Sequence, residues 1–89
     1  MLPGFNHNLR VDEVLFHVQT EDKGIKAAFI ETQVFVDGAI VYVHKRSYEE
    51  QLMYEDSRAR IDKIMKRQHK SILKLLSEKK LPQADRYFK

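Results

Sequence analysis

Four histidines and no cysteine set the range of site chemistry open to this chain. Without a thiol there is no thiolate nucleophile, no disulfide and no Cys-based zinc site, so a metal would have to be held by imidazole and carboxylate. His17 and His44 lie on segments with strand-like alternation, and Glu31 lies on the segment between them. If strand pairing sets His17 opposite Glu31 and Glu31 opposite His44, the three form a row able to bind a metal or move protons. A solvated ion pair between Glu31 and His44 accounts for the same residues, and it is the reading the sequence favours. Thr20-Glu21-Asp22 offers oxygen ligands for a cation, but a single acidic turn more simply closes a hairpin. No His-Glu-x-x-His, phosphate-binding glycine loop or Gly-x-Ser-x-Gly occurs, so neither catalytic residues nor a cofactor are expected.

The strongest charge pattern is on the C-terminal half. Arg60, Lys63, Lys66, Arg67, Lys70 and Lys74 fall on one arc when plotted at helical spacing, lining about 21 Å of helix. The net charge is +3, but residues 58–80 carry +7 while residues 1–46 carry −1 and residues 47–57 carry −4. A cationic row of this kind could neutralise the phosphates of a nucleic acid or meet an acidic protein; otherwise it is a solvated face. No helix-turn-helix or RNA-recognition signature accompanies it.

These residues need elements to hold them. Val14, Phe16 and Val18 alternate with Leu15, His17 and Gln19, which describes a strand with one buried face. A second strand runs from about residue 28 to Val36, and Asp37-Gly38 closes a two-residue hairpin into Ala39–Lys45. Carried through without interruption, that register places Val34 opposite Val41 and Thr32 opposite Val43. Val34, Val36, Val41, Val43, Phe16, Val18 and Ile30 would then share the covered face. Residues 6–10 are a candidate for a further short strand. The expected fold is α+β, an antiparallel three- to four-stranded meander followed by a long C-terminal amphipathic helix.

Ser47 and Glu50 have the spacing of a capping box, and nothing breaks the helical pattern before Leu81-Pro82, which predicts a helix of about 32 residues and close to 48 Å. The stretch 55–58 lacks any apolar residue, so a kink there is the alternative. Ile61, Ile64, Met65, Gln68, Ile72, Leu75 and Leu76 form one stripe. A continuous helix would overhang strands of about 23 Å, and the stripe would need a partner. That predicts a homodimer with these seven residues at its interface and Gln68 meeting its symmetry mate. The competing arrangement breaks the helix near residues 55–58 and folds the stripe onto the chain's own sheet. Residues 1–80 are expected to form the domain and residues 81–89 a flexible tail.

Phe16-His-Val-Gln-Thr-Glu-Asp-Lys-Gly24, followed by the hairpin and Lys45-Arg-Ser-Tyr48, resembles the pattern of a family of small uncharacterised bacterial proteins. The resemblance covers most of residues 5–70 and implies no activity and no site residues. No apolar run approaches the roughly 18 residues of a spanning helix, and the first ten residues lack a basic-then-apolar order, so a cytoplasmic chain without membrane contact is expected. The leading expectation is a self-associating interaction or adaptor module, not an enzyme. The alternative is a nucleic-acid-binding protein using the basic helix face.

Overall fold

The computed structural model describes residues 1–89 as a four-stranded antiparallel meander with one helix of 21 residues across it. The strands are β1 (Phe5–Val11), β2 (Val14–Asp22), β3 (Phe29–Val36) and β4 (Ala39–Ser47), paired in the order β1-β2-β3-β4. Asp12 and Glu13 close the first hairpin, and Asp37 and Gly38 the third; all four have positive φ, the geometry a two-residue turn needs to match strand twist. The middle connection runs through Lys23–Ala28, where the Ala28 N–H donates to the Gly24 carbonyl at 2.7 Å.

The Asp37-Gly38 hairpin starts in the expected register, with Val36 opposite Ala39 and Phe35 opposite Ile40, and then slips. Val41 is an extra residue, so Val34 faces Tyr42 and Thr32 faces His44. The bulge reverses the parity of the rest of β4. Tyr42, His44 and Arg46 point to the helix side, while Val43 joins the opposite face and is 41% exposed. The expected inward Val43 is thereby corrected; Phe16, Val18, Ile30, Val34 and Val36 are buried as the alternation required.

The expected continuous helix does not form. Glu49–Met53 makes one 3-10 segment, Tyr54 is extended, and α1 begins at Ser57 and ends at Ser77, 21 residues in all. The break falls at the apolar-free stretch, where no buried side chain would hold a helix onto the sheet. Ser47 ends β4, and its hydroxyl accepts from the Glu49 N–H at 3.3 Å, so it turns the chain without capping an α-helix. A helix of 21 residues is about 32 Å long, close to the roughly 30 Å of a nine-residue strand. The overhang that called for a second subunit is gone.

The stripe is used inside the chain. Ile61 and Met65 pack with Ala28, Ile30 and Tyr48, and Ile72 and Leu76 pack with Phe16, Val18, Val34 and Val36. Gln68 is buried between these two clusters, where it meets Thr32 of its own sheet, and Ile64 and Leu75 are half-buried. The structure therefore withdraws the reason for a homodimer through this stripe. α1 lies over β2 with β1 and β3 at its sides, leaving the inner face of the edge strand β4 uncovered.

Residues 81–89 also depart from expectation. Lys79 takes a left-handed conformation, the Lys80 N–H donates to the Leu75 carbonyl at 2.8 Å and the Lys79 N–H to the Leu76 carbonyl at 3.0 Å, a Schellman stop built without glycine. The chain then turns back, burying Leu81 and Ala84 in the core and setting Tyr87 and Phe88 against Phe16. The segment has four aromatic or aliphatic side chains to bury, and the far end of the sheet, left open by the helix stop, receives them.

Candidate functional site

Three polar features remain once the apolar core is accounted for: a hydrogen-bonded belt through the middle of the core, a buried carboxylate at Asp22, and a cationic groove between α1 and β4.

The belt is built by parity. Thr20 on β2 and Thr32 on β3 occupy inward positions and pair directly across the strands, and Gln68 and His69 occupy the inward face of α1 at the same level. The Gln68 Nε2 donates to Thr32 Oγ1 at 2.9 Å; Thr32 Oγ1 and Thr20 Oγ1 are 2.7 Å apart; Thr20 Oγ1 and His69 Nδ1 are 2.7 Å apart; and His69 Nε2 reaches His7 Nδ1 on β1 at 2.7 Å. Because Gln68 donates into Thr32, only one direction uses every hydroxyl proton: Thr32 donates to Thr20, Thr20 to His69 Nδ1, and the His69 Nε2–H to His7. The reverse direction leaves the Thr32 hydroxyl with no acceptor. Burial, and then the charge of His7 when that ring is protonated, push His69 down to about 4, so the ring is neutral as this scheme requires.

A second anchor ties the opposite end of the fold. Asp22 accepts from the Tyr48 hydroxyl at 2.6 Å, the Leu2 N–H at 3.0 Å and the Gly24 N–H at 2.8 Å. Burial pushes its carboxyl up, but those three donors outweigh it and hold it below the ordinary carboxylate range. Burial, followed by the hydrogen bond the phenol donates to Asp22 and then the Asp22 charge, pushes the Tyr48 phenol up. Thr20-Glu21-Asp22 is thus strand, not an open turn, and its buried carboxylate is satisfied by the protein itself.

The groove follows from the bulge. With Tyr42, His44 and Arg46 turned inward on a strand the helix does not cover, a cleft of about 270 Å³ opens between them and Arg67, Gln68, Ser71, Ile72 and Leu75. Arg46 and Arg67 also line the adjoining depression with Arg60 and Lys63, so the groove continues toward the start of α1. Arg60 is held by Asp56 at 2.8 Å, whereas Arg46, Lys63 and Arg67 pair with no carboxylate.

The expected basic row is divided by the helix ridge. Arg60, Lys63 and Arg67 face β4; Lys66 and Lys70 border the opposite groove beside Phe5, His7 and His69, with Lys66 held by Asp62 at 2.8 Å; Lys74 is exposed in the last turn. His17, Glu31 and His44 are not brought together. His17 pairs with Phe35 and bonds Asn8 at 2.8 Å, Glu31 pairs with Glu21 and takes Lys23 and Lys45, and His44 is on the other face. No group of three or more His, Asp or Glu converges on a metal position anywhere in the chain.

Sequence reasoning placed Thr32 on the core face and Gln68 in the stripe, but did not connect them, and it passed over His69 and His7. The available signal was three polar residues, Thr20, Thr32 and Gln68, at inward positions of three elements. No helix is long and apolar enough to cross a membrane. Comparison with protein-family models, with curated proteins and with solved structures found no match.

Proposed function

We propose that the chain is a nucleic-acid-binding module that holds a single strand along the groove between β4 and α1. The observation that carries this reading is that Arg46, Lys63 and Arg67, cations without an ion-pair partner, line two adjoining depressions between β4 and α1 that share Arg46 and Arg67. Cations from two elements facing a common channel form a track for a polyanion: the only carboxylate lining it, Asp56, is engaged by Arg60, and Arg46, Lys63 and Arg67 make no ion pair. From Ala59 to Leu75 the helix side of the groove runs about 24 Å, room for several nucleotides. A concave channel with Tyr42, Ile72 and Leu75 at one end suits a strand whose bases are free, whereas a duplex presents only phosphates and groove edges to a surface. The self-associating adaptor has no comparable support, because its apolar stripe is spent on the sheet.

Fluorescence anisotropy with labelled single-stranded RNA and DNA tests the reading. Binding at low salt should weaken with a log–log slope near −2, about −0.7 for each of three phosphates neutralised. Arg46→Glu with Arg67→Glu should abolish it, while Lys66→Glu with Lys70→Glu, on the other side of the ridge, should weaken it only slightly. No binding at low salt, or equal loss from both pairs, sinks the proposal.

A further inference from the structure

We infer that the cleft at the Tyr42 end of the groove is a seat for one nucleotide of the bound strand, with the base inserted between α1 and β4 and its phosphate between Arg46 and Arg67. The inference rests on the nucleic-acid reading and goes beyond it, from a charged track to a base-holding pocket.

The cleft changes character along its length in an order set by the register. Arg46 lies across from Ile30, at the level of the Met65 end of the core; His44 lies across from Thr32, at the level of Gln68; and Tyr42 lies across from Val34, at the level of Ile72. The helix supplies Arg67, then Gln68, then Ile72 and Leu75 in the same order. The lining therefore runs from two guanidinium groups, through an amide and an imidazole, to an aromatic ring and two aliphatic side chains. A nucleotide has the matching order: an anionic phosphate, a hydrogen-bonding edge, and a flat face that is buried favourably on apolar and aromatic groups. At about 270 Å³ the cleft lies just below the roughly 300 to 1,000 Å³ of drug-sized sites, the scale for one such unit and not for a larger ligand.

An independent observation falls at the same place. The only buried side-chain polar atom in the chain without a hydrogen-bond partner is the Gln68 Oε1, and Gln68 lines this cleft while being only 7% exposed. The amide is oriented with its nitrogen 2.9 Å from Thr32 Oγ1 and 3.4 Å from the His44 carbonyl, the placement that gives that carbonyl a donor. The oxygen is left needing an N–H. Such an orphaned acceptor is costly in a folded protein, and a donor entering the cleft beside Gln68 is one way to satisfy it, an ordered water another. The Watson–Crick edge of every base carries at least one N–H, so the seat would accept any base, as a stacking pocket in a single-strand binder should.

The test compares a single-stranded oligonucleotide with an abasic strand of the same length and charge, by anisotropy, on the full chain. Wild type should bind the base-bearing strand roughly tenfold more tightly, the effect of one well-stacked base. Ser71 is exposed on the rim, so Ser71→Leu should fill the cleft without disturbing the core and bring both strands to the same affinity. If wild type binds the two strands equally, the base seat is refuted while the charged track stands. If Ser71→Leu keeps the tenfold preference, the base lies elsewhere and the seat is again refuted. If neither strand binds at low salt, the track itself fails and the seat with it.

Discussion

His7 on β1 and His69 on α1 meet at 2.7 Å through Nδ1 and Nε2, joining an exposed imidazole to a buried one that is 3% exposed. The contact is the outer end of the belt through Thr20, Thr32 and Gln68, and the proton accounting requires the buried ring to be neutral and to donate outward.

Stability should therefore fall between neutral pH and about pH 4. A histidine depressed from 6.5 to about 4 in the fold contributes stability that is complete above the unfolded value and is lost as pH drops through that window, because the unfolded chain takes up the proton first. The expected loss is on the order of 2 kcal/mol, below the full value of the shift because solvent reaches the pair at exposed His7. Urea denaturation at steps of pH measures it, and His69→Gln should flatten the dependence in that window. An unchanged slope in the variant would assign the titration to another group. The Asp22 contribution has the same sign but a lower window: its carboxyl is held low in the fold, so its stabilisation is present above the ordinary carboxylate range and disappears only at more acidic pH.

Tyr48→Phe removes one of three donors to Asp22 and leaves the ring to pack with Ile30 and Met65. A hydrogen bond to a charged group contributes about 1.5 to 3 kcal/mol, and the loss should appear in chemical denaturation at neutral pH. The Asp22 carboxyl should titrate at higher pH in the variant, read by NMR. A variant as stable as wild type, with an unmoved Asp22, would show that the short contact contributes little.

Ile72→Asp should unfold the chain and not merely dissociate it. Ile72 packs against β-strand side chains within one chain, so an aspartate there leaves an unpaired charge in the core, a cost of several kcal/mol. Circular dichroism should show loss of structure with a midpoint independent of protein concentration. A folded, smaller species by sedimentation would restore the helix stripe as a subunit interface.

Truncation after Lys80 should destabilise the domain, because it uncovers Phe16 and removes Leu81 and Ala84 from the core. Burying a single leucine side chain is worth about 1.5 to 3 kcal/mol, so the midpoint should fall clearly below that of the full chain. An unchanged midpoint would mean that the segment rests on the surface without contributing.

What the sequence by itself determined is local. Alternation set which side chains of β2 and β3 are buried, the Asp37-Gly38 pair set the last hairpin, and the apolar-free run at residues 55–58 marked where a helix could not be held to a sheet. The tertiary structure decided everything that depends on registration between elements. One extra residue at Val41 reversed the parity of β4, moving Val43 out and Tyr42, His44 and Arg46 in, and no periodicity in the strand announces a bulge. The β2–β3 register decided that His17 meets Phe35 instead of Glu31, which dissolved the candidate metal row. Gln68 was expected to meet its symmetry mate in a second chain, but a buried amide needs only a partner of the right chemistry, and the shortened helix, lying flat on the sheet, gave it Thr32 of its own. Spacing along the chain states what a residue can bond, but only the packing of one element on another settles what is within reach, because hydrogen bonds and ion pairs act over a few ångströms.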